Sequence, residues 1–218
     1  MTDPGALPAA AQARPRATIR VDLKAIAEMI EPGARVLDIG CGDGALLDYL
    51  AHEKQCDGRG IEISQAGVNA CVAQGLSVIQ GDADTDLKDY PTGGFDYAIL
   101  SQTLQATWDP KAVVGELVRI ARRAVVSFPN FGVWHVRMRL LFGGRMPVTD
   151  TLNAAWYETP NIHLCTIDDF VDLCATLGVT IEKAMVLDAT GRPRGLSAPG
   201  RLANLLGEQG LFVLRRTR

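Results

Sequence analysis

The chain has 218 residues, 47% of them hydrophobic and 22% charged, which is enough for one large domain with a substantial core. Its formal net charge of −3 argues against a dedicated nucleic-acid binder. No stretch approaches the ~18 consecutive apolar residues of a membrane span.

Five cysteines (Cys41, Cys56, Cys71, Cys165 and Cys174) are scattered and odd in number. They form no CxxC pair and no zinc-like cluster with histidine, so reduced thiols and no metal site are expected. The arginines of 137–145 and 192–201 read as solvated faces. Residues 1–17 are Ala-rich, with Pro4, Pro8, Pro15, Arg14 and Arg16, and lack the apolar core of a signal peptide. They read as a disordered tail, leaving 18–218 as a single domain.

In chain order, Val21 to Ile30 carries Leu23, Ile26, Ala27 and Ile30 at helical spacing and is broken by Pro32-Gly33. Arg35 to Leu47 reads RVLDIGCGDGALL. An apolar run stops at Gly40, Gly42 and Gly44, and Leu46, Leu47 and Leu50 then recur helically. This is strand, tight turn, helix. Glycine permits positive φ and lets a ligand lie on bare backbone, and the helix start offers free N–H groups. The spacing alone nearly fits the dinucleotide fingerprint. Asp38 and Asp43, however, would repel a pyrophosphate and suit a ligand with an ammonium and a sulfonium, such as S-adenosylmethionine (SAM). The alternative is a glycine turn without a ligand. Cys41 reads as a small packing residue inside the turn.

D-I-G-C-G-D-G resembles motif I of the class I SAM-dependent methyltransferases. The resemblance implies that the turn (Gly40, Cys41, Gly42, Gly44) passes the methionine part of SAM or S-adenosylhomocysteine (SAH) and that Asp38 meets its amino group. Asp57 to Ile63 forms a second strand, parallel to the first across the intervening helix. Glu62 ends it, 18 residues past Gly44, where an acidic residue can bond both ribose hydroxyls. A solvated strand-end glutamate is the other reading. Ser64 caps the next helix, which runs to about Gln74, with Gly75 closing it. Leu76 to Gln80 is the third strand. By the resemblance, Asp82 accepts from the adenine amino group and the Ala83 N–H meets a ring nitrogen. Asp84 and Asp86 are expected to cap a short helix. Ile63 and Ser101 complete the expected cofactor-binding set.

Phe95 to Leu100 is the fourth strand, with Asp96 structural at its start and a polar loop, 101–105, at its carboxyl end. Asp109-Pro110 opens a helix with Val113, Leu117, Ile120 and Ala121 on one face. Arg122 and Arg123 are expected at its carboxyl end. Ala124 to Phe128 is the fifth strand. Residues 129–164 form a long insertion with Trp134, Trp156, Tyr157, His135, His163 and the basic stretch VWHVRMRLLFGG. It either covers the ligand or presents a surface, or it is a satellite hydrophobic cluster. Thr166 to Asp169 starts a capping-box helix that Gly178 ends. Val179 to Leu187 is a strand, 191–200 a mobile loop, Leu202 to Leu206 a short helix and Leu211 to Leu214 a last strand. The fold expected is α/β, Rossmann-like, with a mostly parallel seven-stranded sheet whose last strand is antiparallel.

The blocks RVLDIGCGDGALLDYL, RGIEIS, VIQGDADTDL, FDYAILSQTLQ, SFPNFG and TPNIHLCTIDDF together are similar to the MetW family of methionine biosynthesis proteins. That resemblance runs from about Ile19 to the end. It implies a bacterial cytoplasmic protein associated with a homoserine O-acyltransferase. Three functions stay open: a SAM-binding accessory subunit, an active small-molecule methyltransferase, and a degenerate interaction module. His135 and His163 are the candidates for a base in the second, and the catalytic residues are otherwise unassigned.

Overall fold

Short β-branched runs alternate with amphipathic stretches along the first 120 residues, and the chain folds as that alternation dictates. The computed structural model describes residues 19–196 and 198–217, so the expected tail at 1–17 lies outside the described residues. In order the elements are α1 (Val21–Glu28), β1 (Arg35–Ile39), α2 (Ala45–Lys54), β2 (Asp57–Glu62), α3 (Gln65–Ala73), β3 (Ser77–Gln80) and β4 (Phe95–Ser101). Then come α4 (Pro110–Ile120), β5 (Ala121–Pro129), α5 (Trp134–Gly143), α6 (Ile167–Thr176), β6 (Val179–Leu187), β7 (Pro193–Arg194), α7 (Arg201–Leu206) and β8 (Gln209–Arg216).

The strands form one sheet in the order β3-β2-β1-β4-β5-β8-β6-β7. β1 to β5 are mutually parallel, and β8 lies antiparallel between β5 and β6. The sheet has eight strands rather than the expected seven. The extra one is the two-residue β7, which pairs Pro193 and Arg194 with Leu187 and Val186 inside the segment read as a mobile loop. Strand order reverses between β1 and β4, which opens a crevice at the carboxyl ends of these strands.

Alternation along β1 sends Val36 into a cluster with Ile26, Ile30, Leu46 and Leu50, and sends Leu37 and Ile39 into one with α4 and α6. In the second cluster Phe128, Phe170 and Phe212 form a triad, with Phe128 stacked on Phe212 at 5.8 Å and tilted on Phe170 at 4.8 Å. Ion pairs close the edge opposite the crevice. Asp96 accepts from the Arg35 backbone N–H at 2.9 Å, a bond that holds its carboxyl below the usual range and fits its expected structural role. Arg122 and Arg123 lie in β5, not at the end of α4 as expected, because the helix stops at Ile120 and the chain turns directly into the strand. Arg123 there pairs with Glu182 and Glu31.

Three of the capping signals read from the sequence are present. Ser64 accepts from Gly67 N–H, Asp109 from Ala112 N–H, and Thr166 and Asp169 form a reciprocal capping box. Thr166→Ala removes the cap from a helix that buries Ile167, Phe170 and Cys174. We expect a loss of about 1 kcal/mol, read as a lower urea midpoint at constant slope. An unchanged midpoint would show that the box adds nothing to the packed face.

Candidate functional site

The crevice is built on the turn from Gly40 to Gly44. Gly40, Gly42 and Gly44 all have positive φ (71°, 59° and 81°), which disfavours ordinary side chains there. A Cβ at Gly40 would lie 2.5 Å from Thr103 Oγ1, whereas one at Gly42 would meet nothing within 4 Å. The first glycine is needed for close packing, and the second leaves bare backbone facing open space.

Two carboxylates flank this backbone. Glu62, at the end of β2, is only 7% exposed. Its Oε2 accepts from Gly42 N–H at 2.8 Å and its Oε1 from Ser64 N–H at 2.8 Å. It therefore ties the turn to the start of α3. Gly67 allows this, since a Cβ there would crowd Glu62 Cγ and the Gly42 carbonyl. The sequence reading did not single out Gly67, though a glycine in a helix's first turn was a usable signal.

Asp38, at the end of β1, is 3% exposed, and its carboxylate accepts no hydrogen bond among the described residues. Burial first, and the neighbouring Glu62 charge second, push its carboxyl up to about 7. A buried carboxylate without a donor is costly unless a cation meets it. Cys41 packs as expected, its Sγ against Gly60 and beside Cys71, with burial raising the thiol's pKa further. Asp43 faces the other way and accepts from Ala45 N–H.

Beyond Gly40 a small cleft of about 130 Å³ is lined by Ile63, Asp82, Ala83, Thr103, Thr107 and Trp108, among others. The Ala83 N–H has no acceptor among the described residues. The Asp82 carboxylate accepts from Asp84 N–H. Asp84 and Asp86 do not cap the following helical turn as expected. Asp84 instead receives the N–H groups of Trp108 and Asp109 at 2.9 Å each, and Asp86 those of Asp82 and the Thr85 hydroxyl. Long-range backbone donors have captured Asp84, and local donors in the preceding turn have captured Asp86. Ser101 does not reach this cleft: its hydroxyl pairs with that of Ser127 on β5 at 3.2 Å.

A second, larger cavity of about 630 Å³ lies beyond the ends of β4 and β5, under the insertion. Gln102, Pro129 and Gln209 line its sheet side, Trp156 and Leu164 the insertion side, and Arg20 and Asp22 the side of α1. Among the described residues its lining holds no histidine, cysteine, lysine or tyrosine. His135 is turned onto Glu208 at 2.9 Å, and the His163 ring onto the Trp108 carbonyl at 3.2 Å, so neither expected base lines the cavity.

The segment from 101 to 109 connects all these parts. Thr103 packs on Gly40, and Trp108 and Asp109 bond to Asp84. The Gln105 carbonyl accepts from Ile162 and His163 N–H of the insertion, while the Gln105 amide donates to the Pro129 carbonyl. Gln105 Oε1 is buried without a partner. Both clefts and the insertion thus share one loop.

Among the described residues no cluster could hold a metal ion, and no helix is long and apolar enough to cross a membrane. Comparison with known proteins fits this geometry. Residues 20–214 match the family described as methionine biosynthesis protein MetW. The bifunctional methionine biosynthesis protein MetXA/MetW of Rhodopirellula baltica is 34% identical over 180 residues, 78% of this chain. The chain spans only 29% of that relative's length. Ajmaline N-methyltransferase of Rauvolfia serpentina is 32% identical over 83% of this chain and 66% of its own length. Among solved structures, a SAM-dependent methyltransferase from Mesorhizobium loti superposes with a TM-score of 0.65 at 19% identity, covering 90% of this chain and 98% of that one.

Proposed function

The chain belongs to the MetW family of methionine biosynthesis proteins, and from that premise we propose that it binds SAM or SAH and, as an accessory subunit, supports homoserine O-acyltransferase. The observation that carries the ligand reading is the pair of buried carboxylates, Asp38 and Glu62, beside the open backbone of Gly42. The donor set fits. Asp38 offers a charge to the ammonium, Glu62 to the ribose hydroxyls, Gly40 and Gly42 a bare surface to the methionine chain, and Asp82 and Ala83 an acceptor and a donor to adenine. Ser101, whose hydroxyl is taken by Ser127, has no part in this assignment. When bound, SAM supplies a methyl group already activated by its sulfonium. The protein's own residues hold the ligand and shield it.

The accessory role is favoured by the shared loop, which joins the ligand cleft to the insertion, and by the MetXA/MetW name of the fused relative. SAM is the end product of the methionine branch, so its occupancy can report supply through linkage. Asp38, Glu62 and Asp82 standing together around one crevice weigh against a degenerate module.

The test is homoserine acylation by the organism's own acyltransferase with and without this chain, at fixed SAM. A rise in initial rate on adding the chain, altered by SAM, is the expected result. No change, with no co-purification, would end the accessory reading. The large cavity beside the cleft favours a second reading, methyl transfer to a small acceptor. Labelled methyl from SAM appearing in a metabolite would establish it.

A further inference from the structure

Helix α5 sits on the fold by very little. Of its ten residues only Val136 is buried. Trp134, Met138, Leu141 and Phe142 recur at i, i+4, i+7 and i+8, so they share one face. That face points to solvent: Leu141 is 73% and Phe142 77% exposed. An amphipathic helix normally turns such a stripe inward, and a contiguous exposed apolar surface marks an interaction site.

The stripe leads into a groove of about 510 Å³ formed by Met138, Arg139, Phe142, Arg145, Met146 and Pro147. Arg139 is held in place by donating to the Val148 carbonyl at 2.8 Å. Residues 134–148 carry three arginines and no aspartate or glutamate, in a chain whose net charge is −3. The surface is thus apolar at its centre and basic at its rim, opposite in sign to the molecule as a whole.

We propose that this α5 groove is the docking surface for the homoserine O-acyltransferase, which it receives through an acidic element with an apolar face. The inference rests on the accessory reading above and names where the partner sits. Charge bears on the occupant. A second copy meeting this face across a two-fold axis would set Arg139 and Arg145 against their own equivalents. The MetXA/MetW name of the fused relative favours the acyltransferase over an anionic bilayer, which would accept the same basic, apolar face. Apolar centre, charged rim and arginine enrichment are the anatomy of a specific protein interface. The position also suits regulation. Met146 and Pro147 line both the groove and the large cavity, and Gln102, next to Thr103 on the glycine turn, lines that cavity's floor.

The experiment measures binding of the full chain to the purified acyltransferase by biolayer interferometry. The wild type is compared with Leu141→Glu/Phe142→Glu and with Arg139→Glu/Arg145→Glu. Each double variant should lose at least about tenfold in affinity, as expected for charge placed in or reversed at an interface centre. SAH affinity and Tm should stay at wild-type values, which shows the fold is intact. Wild-type affinity in both variants would overturn the docking surface and leave the accessory reading standing. No binding by the wild type would overturn both. Two further controls also count against the proposal. One is sedimentation of the wild type, but not of Leu141→Glu/Phe142→Glu, with phosphatidylserine vesicles. The other is a wild-type dimer that the same variant turns into a monomer.

Discussion

Glu62→Ala lowers affinity for SAH by about ten- to a hundredfold and also weakens the fold of the unliganded protein. Two separate losses produce these effects. In the proposed site the ligand loses charge-assisted hydrogen bonds to its ribose, worth roughly 1.5–3 kcal/mol. The protein loses the acceptor for Gly42 and Ser64 N–H, both bonded to Glu62 at 2.8 Å. Leaving such half-buried donors unpaired costs about 1–3 kcal/mol. Glu62→Gln separates the two. One amide oxygen still accepts from a backbone N–H, but the charge is gone, so stability recovers more than affinity does. Calorimetric titration of SAH and urea unfolding on both variants measure the pair. A stability loss with unchanged SAH affinity would make Glu62 a latch for the turn and remove it from the ligand site.

That double duty shows where sequence reasoning reaches and where it ends. The glycine turn, the strand-end acids and the caps at Ser64, Asp109 and Thr166 are local signals: each depends on residues a few positions apart, and the structure has them in place. Glu62 accepting from Gly42, 20 residues away, depends on how β1 and β2 pair, which no short window contains. The same holds for Asp84, captured by Trp108 and Asp109 across the crevice instead of capping its own helical turn. Strand β7 escaped notice because two residues carry no periodicity, and its pairing with Val186 and Leu187 is set by the loop's return path. Arg122 and Arg123 looked like helix-end cations because the switch from α4 to β5 is made without a turn residue. In the insertion, spacing could identify a helix in α5 but not that its apolar stripe faces outward. An amphipathic pattern fixes which residues share a face, and only packing decides what that face meets.

Asp38 makes ligand affinity depend on pH in a direction opposite to that of a salt-bridged aspartate. Burial and the Glu62 charge hold its carboxyl up to about 7, against 3.8 for the ordinary group. In the folded protein the protonated form is therefore relatively favoured. The stability it contributes is fully present below the unfolded pKa near 4 and is lost as pH rises through 7. The free protein should thus become less stable between about pH 5 and 8 through this group. A ligand ammonium reverses the balance, because it pairs with the ionised carboxylate and draws its pKa down. Binding at pH 6 must then release close to one proton, and binding at pH 8 almost none. Affinity for SAH should rise on the order of tenfold from pH 5.5 to 7.5. Asp38→Asn abolishes the rise: it binds weakly at both pH values, and its deficit against wild type is smaller at pH 5.5, where the native carboxyl must give up a proton to pair with the ammonium. Titrations at pH 6.5 in phosphate and in Tris detect the released proton as a difference in apparent enthalpy. Equal enthalpies in the two buffers, with a flat affinity profile, would show that Asp38 does not meet the ammonium. The buried carboxyl would then be a protonated core residue, and the cation would have to be held by Glu62 and the turn alone.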